Sequence, residues 1–409
     1  MSQKNEKQLP DGWRWVKLGD VCDIVNGTTP KSEIQEYWNG DIIWITPTDL
    51  GKLEHKHIFT SLRKITQQGY QSCRLELVPI NTVVLSTRAP IGHLGIAKQS
   101  LCTNQGCKSF IANSSLHYEY LYLVLKNSVR AFQDLGSGTT FKEISKGQLE
   151  AFKILLPPLS EQKRIAAILN EQLEAVEKAT KASEEQLKTA NILSATYLRQ
   201  VFESEESKNW ERMRLGDVAS LIQNGIYKPA EYYGTGHTFL RMYNIQNSSW
   251  DLNLDELAKV EINQNEIQQY SLKKGDLLVS RVNSFELVGK CAWVDEQAEN
   301  SVFENMLIRI RLNSTVNSLF MAQQMNSSIS RKAIQSVAKR AIGQASINST
   351  DLRNLNIFLP PPSKQSEIAM TLNEQMQQVK HLKLTLQGQL DAINKLPSTL
   401  LERAFNGGL

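Results

Sequence analysis

The sequence predicts an α+β chain built twice over. Two strand-rich mixed α/β domains are each followed by a long helix. The two helices are expected to pair as an antiparallel coiled coil, with an internal pseudo-two-fold repeat. Three observations predict this. The stretch FKILLPPLSEQKRIAAILNEQL (152–173) returns as LNIFLPPPSKQSEIAMTLNEQM (355–376). The stretch WVKLGDVCDIVNG (15–27) returns as RMRLGDVASLIQNG (212–225). Each LPP is followed by a long apolar stripe at helical spacing.

The repeat has a fixed length at its ends and a variable middle. Leu149 maps to Leu352, Pro158 to Pro361, Asn170 to Asn373 and Phe202 to Phe405 at one constant offset. Earlier matches drift, as with Leu18 on Leu215 and Ser86 on Ser280. Insertions therefore sit in mid-domain loops. The expected divisions are a first domain at 1–159, a long helix at 160–209, a second domain at 210–362 and a second long helix at 363–409.

Within the first domain, DIIWIT, NTVVLSTR, LGIAKQ and CKSFIA are short apolar or β-branched runs bounded by Gly, Pro and Asn, which read as strands. A helix is expected near 116–134. The second domain offers HTFLRM, GDLLVSR, KCAWVD and MLIRIRL, then a helix near 318–338. Each half closes on an apolar strand that stops at LPP, because proline has no N–H to extend a ladder.

Ser160 and Ser363 follow as expected N-caps. No Gly or Pro interrupts 160–202. Ile165, Leu169, Val176, Ala179, Leu187, Ala190, Leu193, Tyr197 and Val201 fall near one face. Ile368, Leu372, Met376, Val379, Leu382, Leu386, Leu390 and Ile393 do the same in the second helix. Spacings of three and four are those of a coiled-coil seam. A protein made this way has two similar sites at a fixed separation and in opposite orientation.

Composition narrows the classes. The chain has 409 residues, 41% hydrophobic and 22% charged, which is ordinary for a globular protein. The N-terminal MSQKNEKQLPDGW is polar, and no apolar run approaches membrane-spanning length. A cytoplasmic chain with no leader and no membrane partner is expected. Five cysteines, at 22, 73, 102, 107 and 291, form no CxxC pair, which fits a reducing compartment. The net charge is only +4, so nucleic-acid binding would rest on local basic patches.

Catalytic motifs are not found in the sequence. A base methyltransferase needs an Asn/Asp-Pro-Pro-aromatic motif, and here the Pro-Pro pairs read LPPL and LPPP. No GxxxxGK[ST] loop occurs. LGSGTTFKEISK (135–146) is glycine-rich but follows a helix, which argues against a phosphate cradle. His55-Lys56-His57 lacks a helpfully spaced carboxylate or cysteine, so a solvated basic loop is favoured over a metal pair. Cys102 and Cys107 read as buried thiols. No cofactor and no metal are expected.

The duplicated LPPLSEQKRIAAILNEQL and LPPPSKQSEIAMTLNEQM, each after a strand-rich region opening with LGDV, resemble the specificity subunit of Type I restriction–modification enzymes. The resemblance covers essentially the full length. It departs at SKQSEI, where the first copy has SEQKRI. It implies that each globular region is a target-recognition domain for one half of a bipartite, asymmetric double-stranded DNA sequence. It implies that the helices space the domains and dock two methyltransferase subunits, which hold S-adenosylmethionine. Motor–nuclease subunits would join through the complex, and the chain itself would be non-catalytic. The competing readings are a nuclease or methyltransferase with a degenerate motif, and a coiled-coil adaptor between two proteins.

Base readout in the major groove uses Arg or Lys for guanine and Asn or Gln for adenine. The first candidates are Arg88 and Arg281, two arginines at strand ends that look equivalent, with Asn283 beside the second. A charge pair closing the domain is the competing reading for both arginines. Thr46 and Thr48 follow, with their counterparts Arg241, Tyr243 and Asn244. Thr139, Thr140 and Lys142 are candidates in the glycine-rich loop, and Lys339, Arg340 and Gln344 in its counterpart KRAIGQ. Lys56 is a candidate phosphate contact.

Overall fold

The structure is a computed structural model and describes residues 9–137, 142–247 and 249–405. The chain divides into two compact units. Unit 1 comprises Met1–Ala182 and Leu390–Leu409, and unit 2 comprises Ser183–Gln389. Each long helix therefore starts in one unit and finishes in the other.

In unit 1 the main sheet runs in the order Cys22–Asn26, Cys107–Ala112, Val83–Thr87, Ile91–Ala97, His57–Ile58. All neighbours are antiparallel except the last pair. A smaller sheet sets Trp38–Ile45 between Lys64–Ile65 and Cys102–Thr103. Unit 2 repeats this order. Its main sheet is Ala219–Asn224, Leu307–Leu312, Leu277–Ser280, Cys291–Trp293. Its smaller sheet sets Tyr233–Leu240 between Ala258–Val260 and Val302–Phe303. Even the uncommon parallel pairing returns, Trp44 opposite Cys102 in one and Phe239 opposite Val302 in the other.

The repeated LGDV has a local physical role. Leu18–Val21 and Leu215–Val218 are single helical turns. Asp20 and Asp217 accept from the backbone N–H of Lys17 and Arg214, each at 3.3 Å, which caps the turn. The preceding strand Arg14–Lys17 pairs with Lys153–Leu156, and Glu211–Arg214 pairs with Asn356–Leu359. The opening of each domain is thus tied to its LPP exit.

Each expected mid-domain helix is broken in two. The first splits into Tyr118–Asn127 and Val129–Leu135. Ser128 donates its hydroxyl to the Val124 carbonyl at 2.8 Å, a local bond that competes with the helix ladder. The second splits into Ser318–Met325 and Ser328–Val337, with Ser327 capping the latter.

The long helices span Leu159–Phe202 and Pro362–Phe405, 44 residues each, or about 66 Å. They begin one residue before Ser160 and Ser363, so those serines lie in the first turn and are not the N-caps expected. The carbonyl of Pro158 accepts from Gln162 N–H at 3.0 Å, and that of Pro361 from Gln365 N–H at 3.0 Å. A residue at the start of a helix without its own N–H loses nothing, which suits Pro362. The first stripe is buried or half-buried throughout. In the second, Leu382 is exposed and Lys383 takes the inward place. Alternation of four and three from Val379 through 383 to Leu386 puts position 383 on the face expected of Leu382.

Each unit has its own main core. In unit 1, Leu18, Leu85, Phe110 and Tyr120 pack with Ile165 and Leu169 from the first long helix and with Leu401 and Phe405 from the second. In unit 2, Leu215, Leu277, Ile310 and Phe320 pack with Ile368 and Leu372 from the second helix and with Leu198 and Phe202 from the first. Among the described residues, no helix is long and apolar enough to cross a membrane.

Candidate nucleic-acid interface

In unit 2 the ends of four strands are stitched together. Ile226 N–H donates to Phe303 O at 2.9 Å and Asn305 N–H to Ile226 O at 3.0 Å. Glu304 N–H donates to Leu240 O at 3.0 Å, and Arg281 N–H to Met306 O at 2.8 Å. Gly225 allows this closeness: a Cβ there would lie 2.2 Å from Glu304 O. Its counterpart Gly27 faces Asn104 O at 2.0 Å. The repeated Asn-Gly of IVNG and LIQNG is thus a requirement for backbone approach at this end of the sheet.

A further sheet is attached at that edge. Val282–Asn283 pairs with Gln344–Ser346, which pairs with Lys339–Ala341. Ile347 N–H donates to Arg281 O at 2.9 Å. Ile342 and Gly343 form the connection, with Gly343 at φ +73° and Ile342 fully solvent-exposed at 104%. Lys339, Arg340 and Gln344 are all exposed on this ribbon. Arg340 lies 3.5 Å over the Phe285 ring, which fixes its plane by cation–π contact. A two-stranded β-ribbon is one of the elements that the major groove of B-DNA admits.

The remaining unit 2 candidates separate by exposure. Tyr243 is exposed beside Arg241, whose guanidinium lies 5.8 Å from its ring. Arg241 Nε is 3.1 Å from Glu304 Oε2, so that arginine is half-committed to an ion pair. Asn244 differs from expectation. It is 1% exposed, and its amide donates to Asn253 O at 2.8 Å and Glu256 O at 3.0 Å. Its oxygen caps the Arg241 N–H at 2.8 Å. All its hydrogen-bonding capacity serves the fold. Asn283 is half-buried, with its amide on Ser280 Oγ at 3.2 Å.

Arg88 and Arg281 are not equivalent. Thr87 N–H donates to Gly106 O and Thr87 O accepts from Ile144 N–H. Arg281 makes the matching pair with Met306 O and Ile347 N–H. Arg281 therefore stands in the register of Thr87, and Arg88 in that of Val282. A one-residue step along a strand turns the side chain to the other face. Their surroundings differ accordingly. Arg88 Nη1 is 3.9 Å from Glu143 Oε2, a loose form of the charge pair weighed from the sequence. Arg281 Nη1 donates to Asn305 O at 3.3 Å. Its Nε is buried with no partner, and among the described residues it forms no ion pair.

Unit 1 shows the same platform with other side chains. Thr46 caps the turn Pro47–Gly51: its hydroxyl accepts from Asp49 N–H at 3.3 Å and donates to the Asp49 carboxylate, so it is committed to the fold. Thr48, the counterpart of Tyr243, is exposed. Lys142 is exposed, while Thr139 and Thr140 lie outside the described residues. Ser137 and Arg88 both bridge to Glu143, the local equivalent of the ribbon in unit 2. Lys56 is elsewhere and already paired: its Nζ donates to Asn170 Oδ1 at 2.9 Å and is 3.6 Å from Glu119. That removes it as a free phosphate contact. His57 Nε2 is buried without a partner, and burial lowers its pKa. Burial pushes the Cys102 thiol up to about 12, so this is an inert core residue.

Two residues unforeseen from the sequence hold each domain to its helix. Gln162, 0% exposed, donates to Ser115 O and Pro157 O at 2.9 Å and accepts from His117 N–H at 2.8 Å. Gln365, 3% exposed, donates to Pro360 O and accepts from Asn317 N–H, both at 2.9 Å. The departure between SEQKRI and SKQSEI is an inverted ion pair. Glu161 and Arg164 are 2.7 Å apart in one copy, and Lys364 and Glu367 3.0 Å apart in the other.

Comparison with known proteins agrees with this architecture. A family model described as the Type I restriction modification DNA specificity domain matches residues 10–189 and again 207–389. The MjaIX Type I restriction enzyme specificity subunit of Methanocaldococcus jannaschii is 34% identical over 237 residues. That alignment covers 54% of this chain and 55% of the relative, so the chain spans about half of that relative. The EcoKI specificity subunit of Escherichia coli K12 is 23% identical over 98% of this chain and 90% of its own length. The fold matches a chain from a structure of type I R-M system complex assembly and conformational transition, with TM-score 0.75 and 22% identity. That match covers 98% of this chain and all of the other. The HsdS subunit of Thermoanaerobacter tengcongensis matches with TM-score 0.63 at 21% identity over 99% of both. Matched by the same family twice along its length, the chain belongs to the Type I restriction modification DNA specificity domain family.

Proposed function

We propose that this chain is the DNA-reading specificity subunit of a Type I restriction–modification complex. Each globular domain, 1–159 and 210–362, reads one half of a bipartite target. One observation carries the reading: the two units share a strand-end platform but display different side chains on it. Thr48 stands against Tyr243, Thr87 against Arg281 and Arg88 against Val282. Identical scaffolds with unlike tips are what an asymmetric target requires.

In this reading the interface of unit 2 is the ribbon with Lys339, Arg340 and Gln344, together with Arg281, Asn283, Arg241 and Tyr243. That of unit 1 is Thr48, Arg88 and Lys142 with Thr139 and Thr140. The long helices at 160–209 and 363–409 pair antiparallel and set the gap. The start of each helix sharing a core with the end of the other supports this. The chain is non-catalytic. Methyl transfer from S-adenosylmethionine belongs to two methyltransferase subunits docked on the helices, and cleavage to motor–nuclease subunits.

The test is to lengthen the helices. Four residues inserted between Ala179 and Glu184, with a matching insertion in the second helix, add ~6 Å and little more than one turn. The half-site bases should persist while the gap widens by about one or two base pairs at roughly 3.4 Å each. Two-residue insertions, which swing the stripe by about 200°, should abolish function. Changed half-site bases with an unchanged gap would show that the helices are not the ruler.

A further inference from the structure

Unit 2 contains a cavity of ≈ 380 Å³ between its globular part and the segment Asn191–Arg199 of the first long helix. Lys290 and Arg331 are among the cations that line it, and Glu286 is the acidic residue of the lining. Lys290 is 7% exposed, and its Nζ donates to Ile245 O at 2.6 Å and Asn247 Oδ1 at 2.8 Å. Arg331 Nη2 donates to Glu286 O at 2.7 Å, and its Nη1 is buried with no partner. Among the described residues neither cation has a carboxylate within 4 Å. Ser194, 7% exposed on the helix wall, also has a buried hydroxyl without a partner. Arg199 adds a third cation to the lining.

Buried charges are paired, because leaving an ion unpaired in a low-dielectric site is costly. Burial lowers the pKa of both Lys290 and Arg331, in keeping with missing counter-charge. Unit 1 provides an internal contrast. Ser194 and Asn326 of this cavity correspond through the repeat to Pro397 and Lys126, which line a cavity in unit 1. There the protein supplies its own anions. Lys56 has Glu119 at 3.6 Å, and Glu177 lines the same space and favours the charged form of Lys126. Leu319 and Lys380 occupy the positions of those two glutamates in the second copy.

We propose that this cavity is a binding site for a tetrahedral oxyanion of the phosphate class, held by Arg331, Lys290 and the Ser194 hydroxyl. The planar guanidinium gives paired donors to two oxygens. The serine gives a third donor from the helix. The ligand is either free phosphate or a phosphate of a nucleic-acid backbone; both present the same oxygens.

Inorganic phosphate is the probe, added to the full chain at constant ionic strength against chloride. A single-site ligand at about ten times its dissociation constant shifts the folding equilibrium about elevenfold toward the native state. Phosphate should therefore raise the midpoint of unit 2 unfolding, and chloride should not. Arg331→Gln should abolish the shift. Ser194→Val, which keeps the helix, should weaken it several-fold and guards against a folding failure of the arginine variant. Addition of duplex DNA then identifies the source: competition marks a backbone phosphate, and joint binding a free ion. No phosphate-specific shift in the wild-type chain, or the full wild-type shift retained in both variants, overturns the site.

Discussion

The ring of Phe405 stands 5.6 Å from that of Tyr120, and the ring of Phe202 stands 5.6 Å from that of Phe320. Phe202 and Phe405 are repeat equivalents at the ends of the two long helices. Each helix leaves its own domain and ends as part of the core of the other unit. The pattern is reciprocal: each unit's core holds the start of one long helix and the tail of the other.

Phe405→Ala should loosen unit 1 and spare unit 2. Core Phe→Ala substitutions cost ~3–5 kcal/mol, and a last-turn position should fall near the low end. Amide exchange should accelerate in Tyr118–Asn127 and stay unchanged in Ser318–Met325. Phe202→Ala should give the mirror result. Equal acceleration in both segments would contradict the separate cores.

Gln162→Ala should be far worse than an ordinary surface substitution. It strands the His117 N–H and the carbonyls of Ser115 and Pro157 in a buried place. Each unsatisfied buried group costs about 1–3 kcal/mol. Gln162→Glu should not rescue, since a carboxylate cannot donate to two carbonyls. Urea denaturation measures the loss, and a change below ~0.5 kcal/mol would contradict the role.

Much of the fold was legible because the repeat exposed it. Two copies of LGDV and of LPP located the closures of both domains, and the stripe from Ile165 to Val201 located a helix. The register of the strand ends was legible but easily overridden: Ser86 on Ser280 already places Arg88 on Val282. Thr87-Arg88 against Arg281-Val282 looks like one shared arginine only if that serine match is ignored, and the hydrogen bonds of Thr87 and Arg281 agree with the serine register. Asn244 shows a firmer limit. A buried cap and a base-reading amide use the same side chain, and only the distances to Asn253 and Glu256 separate them. Gln162 and Gln365 were visible as an invariant of the two copies, but a polar residue after LPP gives no sign that it is buried. The inverted pair Glu161–Arg164 and Lys364–Glu367 hid a shared contact behind opposite charges.

Arg281→Ala and Asn244→Ala should have opposite phenotypes. The arginine variant should lose ~1–3 kcal/mol of discrimination at one base of one half-site, with stability nearly unchanged. The asparagine variant should lose about 1–3 kcal/mol of stability by stranding two buried carbonyls, with base preference intact. Binding to single-base target variants, run beside thermal unfolding, separates them. Unfolding of unit 2 by Arg281→Ala would assign that arginine to the scaffold.

Unit 1 should weaken in mild acid. Burial is the first cause that lowers the pKa of His57 and of His117, and each has a buried ring nitrogen without a partner. In the fold both rings take up a proton only at lower pH than in the unfolded chain, where they do so near pH 6.5. The unfolded state binds more protons below that value, so stability is full above it and falls as pH drops through it. A His57→Gln, His117→Gln double variant should show a flatter profile between about pH 7 and 5. An unaltered profile would place the titration elsewhere.

The central claim is that each unit reads its own half of one target. Sequencing of methylated bases in cells carrying this chain with a Type I methyltransferase subunit tests it most directly. The wild-type chain should give a bipartite, asymmetric target with a fixed gap. Replacement of Lys339, Arg340 and Gln344 together with Arg281 should alter one half and leave the other half and the gap as they were. A contiguous target, or a change in both halves from substitutions in unit 2 alone, would contradict the account.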